Sequence, residues 1–219
     1  MHYTGRVKSY GQYCSVAKAL DVVGDRWTLL IVRELLTQGP CRYTDLRAGL
    51  PGIASNLLSA RLKEMEAARL ITRTAAPPPI ATTLFDLTDR GRELKDVLYA
   101  LGRWGVDLMV TADGSDAFRS GWFTFATENF LTDTDPAAPE VTIGLNATDA
   151  APVHVVVGHG EVELRKGPAP DPGLTLAGEP RLIMGVLSGK LPVDKARAAG
   201  LSVAGDPSVL ARAVHAHPA

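Results

Sequence analysis

Long apolar runs are missing from this 219-residue chain, and so is a basic-then-apolar start. A bilayer-spanning helix needs about 20 consecutive apolar residues, so no membrane partner is expected and cytoplasm is the default compartment. Cysteine is scarce: Cys14 and Cys41 are the whole supply, without C-x-x-C spacing. That excludes a disulfide framework and a cysteine zinc site. A catalytic constellation is also lacking. His154 and His159 lie near Glu161 and Glu163, but strand alternation and a glycine turn scatter these side chains and no third metal ligand is evident. Gly158-His159-Gly160 has neither the following helix nor the lysine of a phosphate loop. No acid, base and nucleophile converge, so neither an enzyme nor a cofactor is expected.

An excess of charge is absent from the whole, with a formal net of −1, but not from its parts. Residues 1–112 hold 15 Lys/Arg against 11 Asp/Glu, and residues 113–219 hold 8 against 13. A nucleic-acid partner requires local positive charge near its phosphates, whatever the chain total. Only the first part can supply it. The stretch Thr111 to Gly121, rich in small and turn-forming residues, breaks a helical pattern, so a domain boundary is placed there, giving domains 1–112 and 113–219.

Helical periodicity dominates the first domain. Val16, Leu20 and Val23 recur at i, i+4, i+7 and predict an amphipathic helix ending at Gly24. The run Trp27 to Leu36 is nearly all apolar and too long for an average strand, which predicts a buried central helix stopped by Gly39-Pro40. Two short helices follow around a Pro51-Gly52 turn, with Thr44 and Ser55 as their candidate caps. In the second, Leu58, Leu62 and Met65 share one face. At about 100° per residue, Asn56, Ala60, Lys63 and Ala67 lie opposite, with Ser59 at the edge. Such a surface can enter a major groove about 12 Å wide, or it can be the solvated face of an ordinary helix.

The next segments favour the first alternative. Leu70 to Arg73 and Thr82 to Leu87 predict two strands joined by a Pro77-Pro78-Pro79 turn, a wing directly after a helix-turn-helix. Arg73 at its base is a candidate phosphate contact. The prolines bring no cations, so the wing is expected to add shape more than charge. After Thr88, a candidate cap, Leu94, Leu98, Leu101, Trp104 and Leu108 form a stripe with coiled-coil-like spacing, which can pack on its own domain or on a second subunit.

From about Tyr13 to about Gly105 the chain reads as a winged helix-turn-helix, and specific runs resemble the HxlR-type regulators. They are Cys14 to Leu30, Arg42-Tyr43-Thr44-Asp45-Leu46, Leu50-Pro51-Gly52-Ile53, Leu58 to Met65, and Leu87-Thr88-Asp89-Arg90-Gly91. The resemblance implies a dimeric transcriptional regulator, not an enzyme, paired through its N- and C-terminal helices, with Ser55 to Ala67 as recognition helix. The expected partner is double-stranded DNA, a pseudo-palindromic operator with half-sites roughly 34 Å apart. Candidate DNA contacts are Thr44, Ser55, Asn56, Ser59, Ala60 and Lys63, with Arg73 on the wing. The resemblance further implies that a cysteine near the start can sense oxidants, and Cys14 occupies that place. A thiolate is favoured at a helix start or beside a cation such as Lys18, yet thiols are also commonly buried and inert.

The second domain alternates differently. Val141/Ile143/Leu145, Val153/Val155/Val157, Val162/Leu164 and Leu174/Leu176 predict short strands, while Trp122 to Leu131, a segment from Pro180 ending near Gly189, residues 193–199 and the segment after Asp206-Pro207 predict helices. The expectation is an α+β class overall: a mostly α winged unit with a two-stranded wing, then a small antiparallel sheet with helices on one face. Asp171 to Leu176, Leu187 to Leu191, Ala196 to Gly200 and Leu201 to Asp206 resemble the sterol-carrier-protein-like fold. That resemblance implies an apolar pocket for a small hydrophobic ligand, with Leu182, Val186 and Leu187 as candidate walls. An ordinary core or a dimerisation module fits the same residues. A lipid or hydrophobic-ligand carrier is the alternative function, and a thiol-based redox sensor at Cys14 another.

Overall fold

The computed structural model describes residues 9–76, 82–110 and 116–213. It divides into two compact units, residues 1–98 and 99–219. The division falls inside one helix, α6 (Leu94–Val110), upstream of the 112/113 boundary placed by composition. The wing-tip prolines Pro77-Pro78-Pro79 and the start of the turn-rich stretch, residues 111–115, lie outside the described residues.

The first unit is built on α2 (Thr28–Gln38), whose Ile31, Val32 and Leu35 are buried. Its apolar run also hides Glu34, only 1% exposed. That carboxylate is compensated locally: the Arg33 guanidinium lies 2.8 Å away and Gln38 Nε2 donates to it at 2.6 Å. A buried charge requires such partners. Gly49 makes the room, since a Cβ there would lie 2.0 Å from Glu34 Oε2. Gly39 ends α2 with φ +71°, a conformation glycine adopts without steric cost.

Helix α1 (Ser15–Val23) departs from its expected packing. Ala17 and Val23 are buried, whereas Val16 and Leu20 of the predicted stripe are 64% and 44% exposed. Helix α3 (Tyr43–Ala48) and helix α4 (Ser55–Ala67) form the helix-turn-helix, held by buried Leu46, Leu50, Ile53, Leu58, Leu62 and Met65. Each such side chain contributes roughly 1.5–3 kcal/mol on burial. Neither predicted cap is one. Thr44 lies inside α3, whose N-cap position is Arg42, where the Asp45 carboxylate accepts the Arg42 backbone N–H at 3.1 Å. Ser55 is the first residue of α4, after Ala54, which has no side-chain cap.

The wing pairs β2 (Ile71–Ala75) with β3 (Thr83–Leu87) in antiparallel register, Arg73 opposite Phe85. A third strand, β1 (Cys41–Arg42), pairs with β3 on its other side, giving the order β1-β3-β2. Two residues carry no periodicity, and this strand was invisible to pattern reading. Thr88 caps α5 (Asp89–Arg92) as expected, accepting from the Gly91 backbone N–H at 3.1 Å.

In the second unit a 3₁₀ turn (Ser120–Trp122) leads into α7 (Phe123–Phe130), then β4 (Val141–Ala147), β5 (Val153–Gly158), β6 (Glu161–Lys166), β7 (Leu174–Gly178), α8 (Pro180–Leu187), α9 (Val193–Ala198), β8 (Ser202–Gly205) and α10 (Val209–Ala213). The sheet order is β6-β5-β4-β7-β8. It is mixed, not antiparallel as expected, because β4 and β7 run parallel at its centre. Alternation reports which face a side chain takes and says nothing of the direction of its neighbour. Ile143, Leu145, Val155, Leu174, Leu176 and Phe123 fill the core with no exposed area, and Val106 of α6 joins it. Among the described residues, no helix is long and apolar enough to cross a membrane.

Candidate nucleic-acid interface

Helix α4 presents its outward side because its inward side is spent. Leu58, Leu62 and Met65 are sealed in the core at 0%, 4% and 2% exposure, which turns Asn56, Ser59, Ala60, Lys63 and Ala67 to the surface. Asn56 Oδ1 accepts the Leu57 backbone N–H at 2.9 Å, leaving its amide NH₂ for a partner outside. Lys63 has no ion pair among the described residues and adjoins a cavity of about 160 Å³ between α4 and the wing. Tyr43, Ser59, Glu66 and Arg73 line the rest of it, over Leu62 and Phe85. Thr44 and Ser55 are also exposed.

Two residues with no role assigned from the sequence stand in this surface. The Tyr43 hydroxyl donates to the Ser55 carbonyl at 2.8 Å and receives the Ser59 hydroxyl at 3.4 Å, tying α3 to the start of α4. Glu66 accepts Arg73 Nε at 2.9 Å, so Arg73, the candidate phosphate contact on the wing, is exposed but ion-paired. Helical spacing from Ser59 and Lys63 puts Glu66 on the rim of this face. Its link to Arg73 runs across the helix–strand turn, where no periodicity connects the two.

Cys14 is exposed and immediately precedes α1. Backbone N–H groups of Ala17 and then Val16 hold its thiol below the ordinary cysteine value. The Lys18 ammonium is engaged with Asp21 at 3.6 Å. Cys41 is buried on β1, and burial together with the nearby Asp45 carboxylate pushes its pKa up to about 12, which makes it inert. Leu182, Val186 and Leu187 on α8 are buried in the core of the second unit, at 4%, 3% and 0% exposure. His154 Nδ1 lies 3.0 Å from the Gly167 carbonyl, and His159 sits exposed in the β5–β6 turn with φ +56°.

A helix-turn-helix with a short strand preceding it and a two-stranded wing after it defines the winged helix-turn-helix class. Residues 22–113 match the family described as HxlR-like helix-turn-helix. The uncharacterized HTH-type transcriptional regulator YvaP of Bacillus subtilis (strain 168) is 34% identical over 90 residues, which are 41% of this chain and 82% of YvaP. YodB, an HTH-type transcriptional regulator of the same organism, is 30% identical over 39% of this chain and 76% of its own. The solved reduced form of YodB covers 47% of this chain and 100% of its own at 27% identity, with a TM-score of 0.40. The chain belongs to the HxlR-like helix-turn-helix family.

Proposed function

We propose that this protein is a homodimeric, DNA-binding transcriptional regulator in which α4 reads the major groove. One observation carries the reading: Asn56, Ser59, Ala60 and Lys63 stand exposed on one side of a helix whose other side is locked into the core. An Asn amide can pair with adenine, and a Lys can meet a base or a phosphate. Support for a second copy comes from apolar side chains left in water. On α6, Val97, Leu101, Trp104 and Leu108 recur at i, i+4, i+7, i+11 and are 43%, 46%, 75% and 62% exposed. Val16 and Leu20 do the same on α1.

The test is a gel shift on DNA from upstream of the protein's own gene. Asn56→Ala is expected to cost about 1–3 kcal/mol at one base position, and Lys63→Ala to lower the salt slope by about 0.9. Both variants should melt like the parent. Parental binding by the two would remove α4 as recognition helix.

A second reading, thiol control of DNA binding at Cys14, is favoured by that residue's exposure and by the two N–H groups that stabilise its thiolate. Cys14→Ser is then expected to keep DNA binding after treatment with diamide while the parent loses it. Equal loss in both proteins would dispose of the idea.

For the second unit we propose the sterol-carrier-like architecture, supported by three antiparallel strands followed by a crossover to β7 and by helices α8 and α9 before β8. Leu182, Val186 and Leu187 are filled core positions, so an apolar effector would enter by displacing part of α8. Native mass spectrometry of the purified protein tests this: a co-purifying apolar ligand supports an effector pocket or a carrier role, and its absence favours a plain core.

A further inference from the structure

The cavity between α4 and the wing holds two cations and one anion, and the anion is committed to one of the cations. Glu66 accepts from Arg73 Nε at 2.9 Å, whereas Lys63, one turn earlier on α4, is free among the described residues. Resting on the reading of α4 as recognition helix, we infer that Glu66 is a positioning residue that holds Arg73 back from the DNA backbone. By doing so it suppresses sequence-independent binding.

A structural role for the pair is small. Its side chains are 34% and 50% exposed, and ion pairs in such solvent-screened settings contribute little to stability. Its effect on binding is larger. Each phosphate neutralised by a cation steepens the dependence of log K on log salt by about 0.9. An Arg already neutralised by a neighbouring carboxylate releases no counterion from DNA unless it first leaves that carboxylate. Glu66 therefore removes one unit from the charge available to any duplex, matched or not. Binding is left to depend more on what Asn56, Ser59 and Lys63 read.

The experiment measures affinity of the full chain for a short duplex of unrelated sequence across a salt series, by fluorescence anisotropy. Glu66→Gln is expected to steepen the slope by about 0.9 and to raise affinity on the order of eightfold at 0.1 M salt. In the Glu66→Gln/Arg73→Gln double variant both gains should vanish. An unchanged slope in Glu66→Gln overturns the inference, and so does a gain that survives removal of Arg73, because direct repulsion of phosphate by Glu66 would then suffice. If the parent binds and Lys63→Ala weakens it while Glu66→Gln changes nothing, the inference alone fails. If the parent binds no duplex at low salt, the recognition-helix reading fails with it.

Discussion

Single side chains hold segments of this molecule that secondary structure leaves loose. Asp133 is fully covered and takes Arg212 Nε at 2.9 Å and the Gly160 N–H at 2.9 Å, while Arg212 also donates to the carbonyls of Ala138 and Pro139. Together with the Thr132 N–H to Ala213 carbonyl bond at 2.8 Å, this ties α10 to the loop before β4. Hydrogen bonds from Arg212 hold the Asp133 carboxyl down to about 2, from an ordinary 3.8. A carboxylate with a depressed pKa in the folded state stabilises above its unfolded value, and that stability is lost as pH falls through the folded one. Thermal melts are expected to drop between about pH 4 and about pH 2 in the parent. Asp133→Asn should already be less stable at neutral pH and show a shallower drop, and identical profiles would exclude the role. Neither partner stands out in the sequence, because they are separated by most of the second unit.

At the scale of elements, close approach decides where the short helix after the wing can lie. Gly91 in α5 sits so near the wing that a Cβ would fall 2.0 Å from the Leu70 carbonyl oxygen. Thr88 Oγ1 fixes the same junction by donating to the Arg69 carbonyl at 2.6 Å. This gives a packing reason for the Leu87-Thr88-Asp89-Arg90-Gly91 run quoted for the family. Backbone cannot yield as a side-chain end does, so Gly91→Ala is expected to destabilise by about 1–3 kcal/mol or more, as overpacked sites do. Urea denaturation reads this directly, and an unchanged midpoint would show that α5 shifts freely. Long periodic elements such as α2, α4 and the strands of the second unit were legible from spacing. The exceptions were β1, too short for a period, and the starts of α3 and α4, where Thr44 and Ser55 looked like caps but the chain turns into helix two residues earlier in α3 and one residue earlier in α4.

For the whole molecule, the unburied apolar positions matter most. Val16 and Leu20 carry the spacing of a core face, as do Leu101 and Trp104, yet all four meet water. Burial of apolar surface is the main favourable term in association, and exposed residues at heptad-like intervals suit a helix from a second copy. Leu101→Glu and Trp104→Ala are each expected to shift the protein toward monomer in size-exclusion chromatography with light scattering, and to weaken operator binding with it. A parent that is already monomeric at micromolar concentration would remove the paired arrangement.

By itself the sequence determined which segments are helix or strand over most of the chain, that a winged helix-turn-helix opens it, and which side of α4 turns outward. Each of these follows from local period and turn chemistry, which act over a few residues. Only the tertiary structure decided that β4 and β7 run parallel, that α6 passes from one compact unit into the next, that Val16 and Leu20 are left uncovered, and that Arg73 is claimed by Glu66. Those outcomes depend on which distant groups meet once the chain has closed on itself, and spacing along the chain does not encode distance through space.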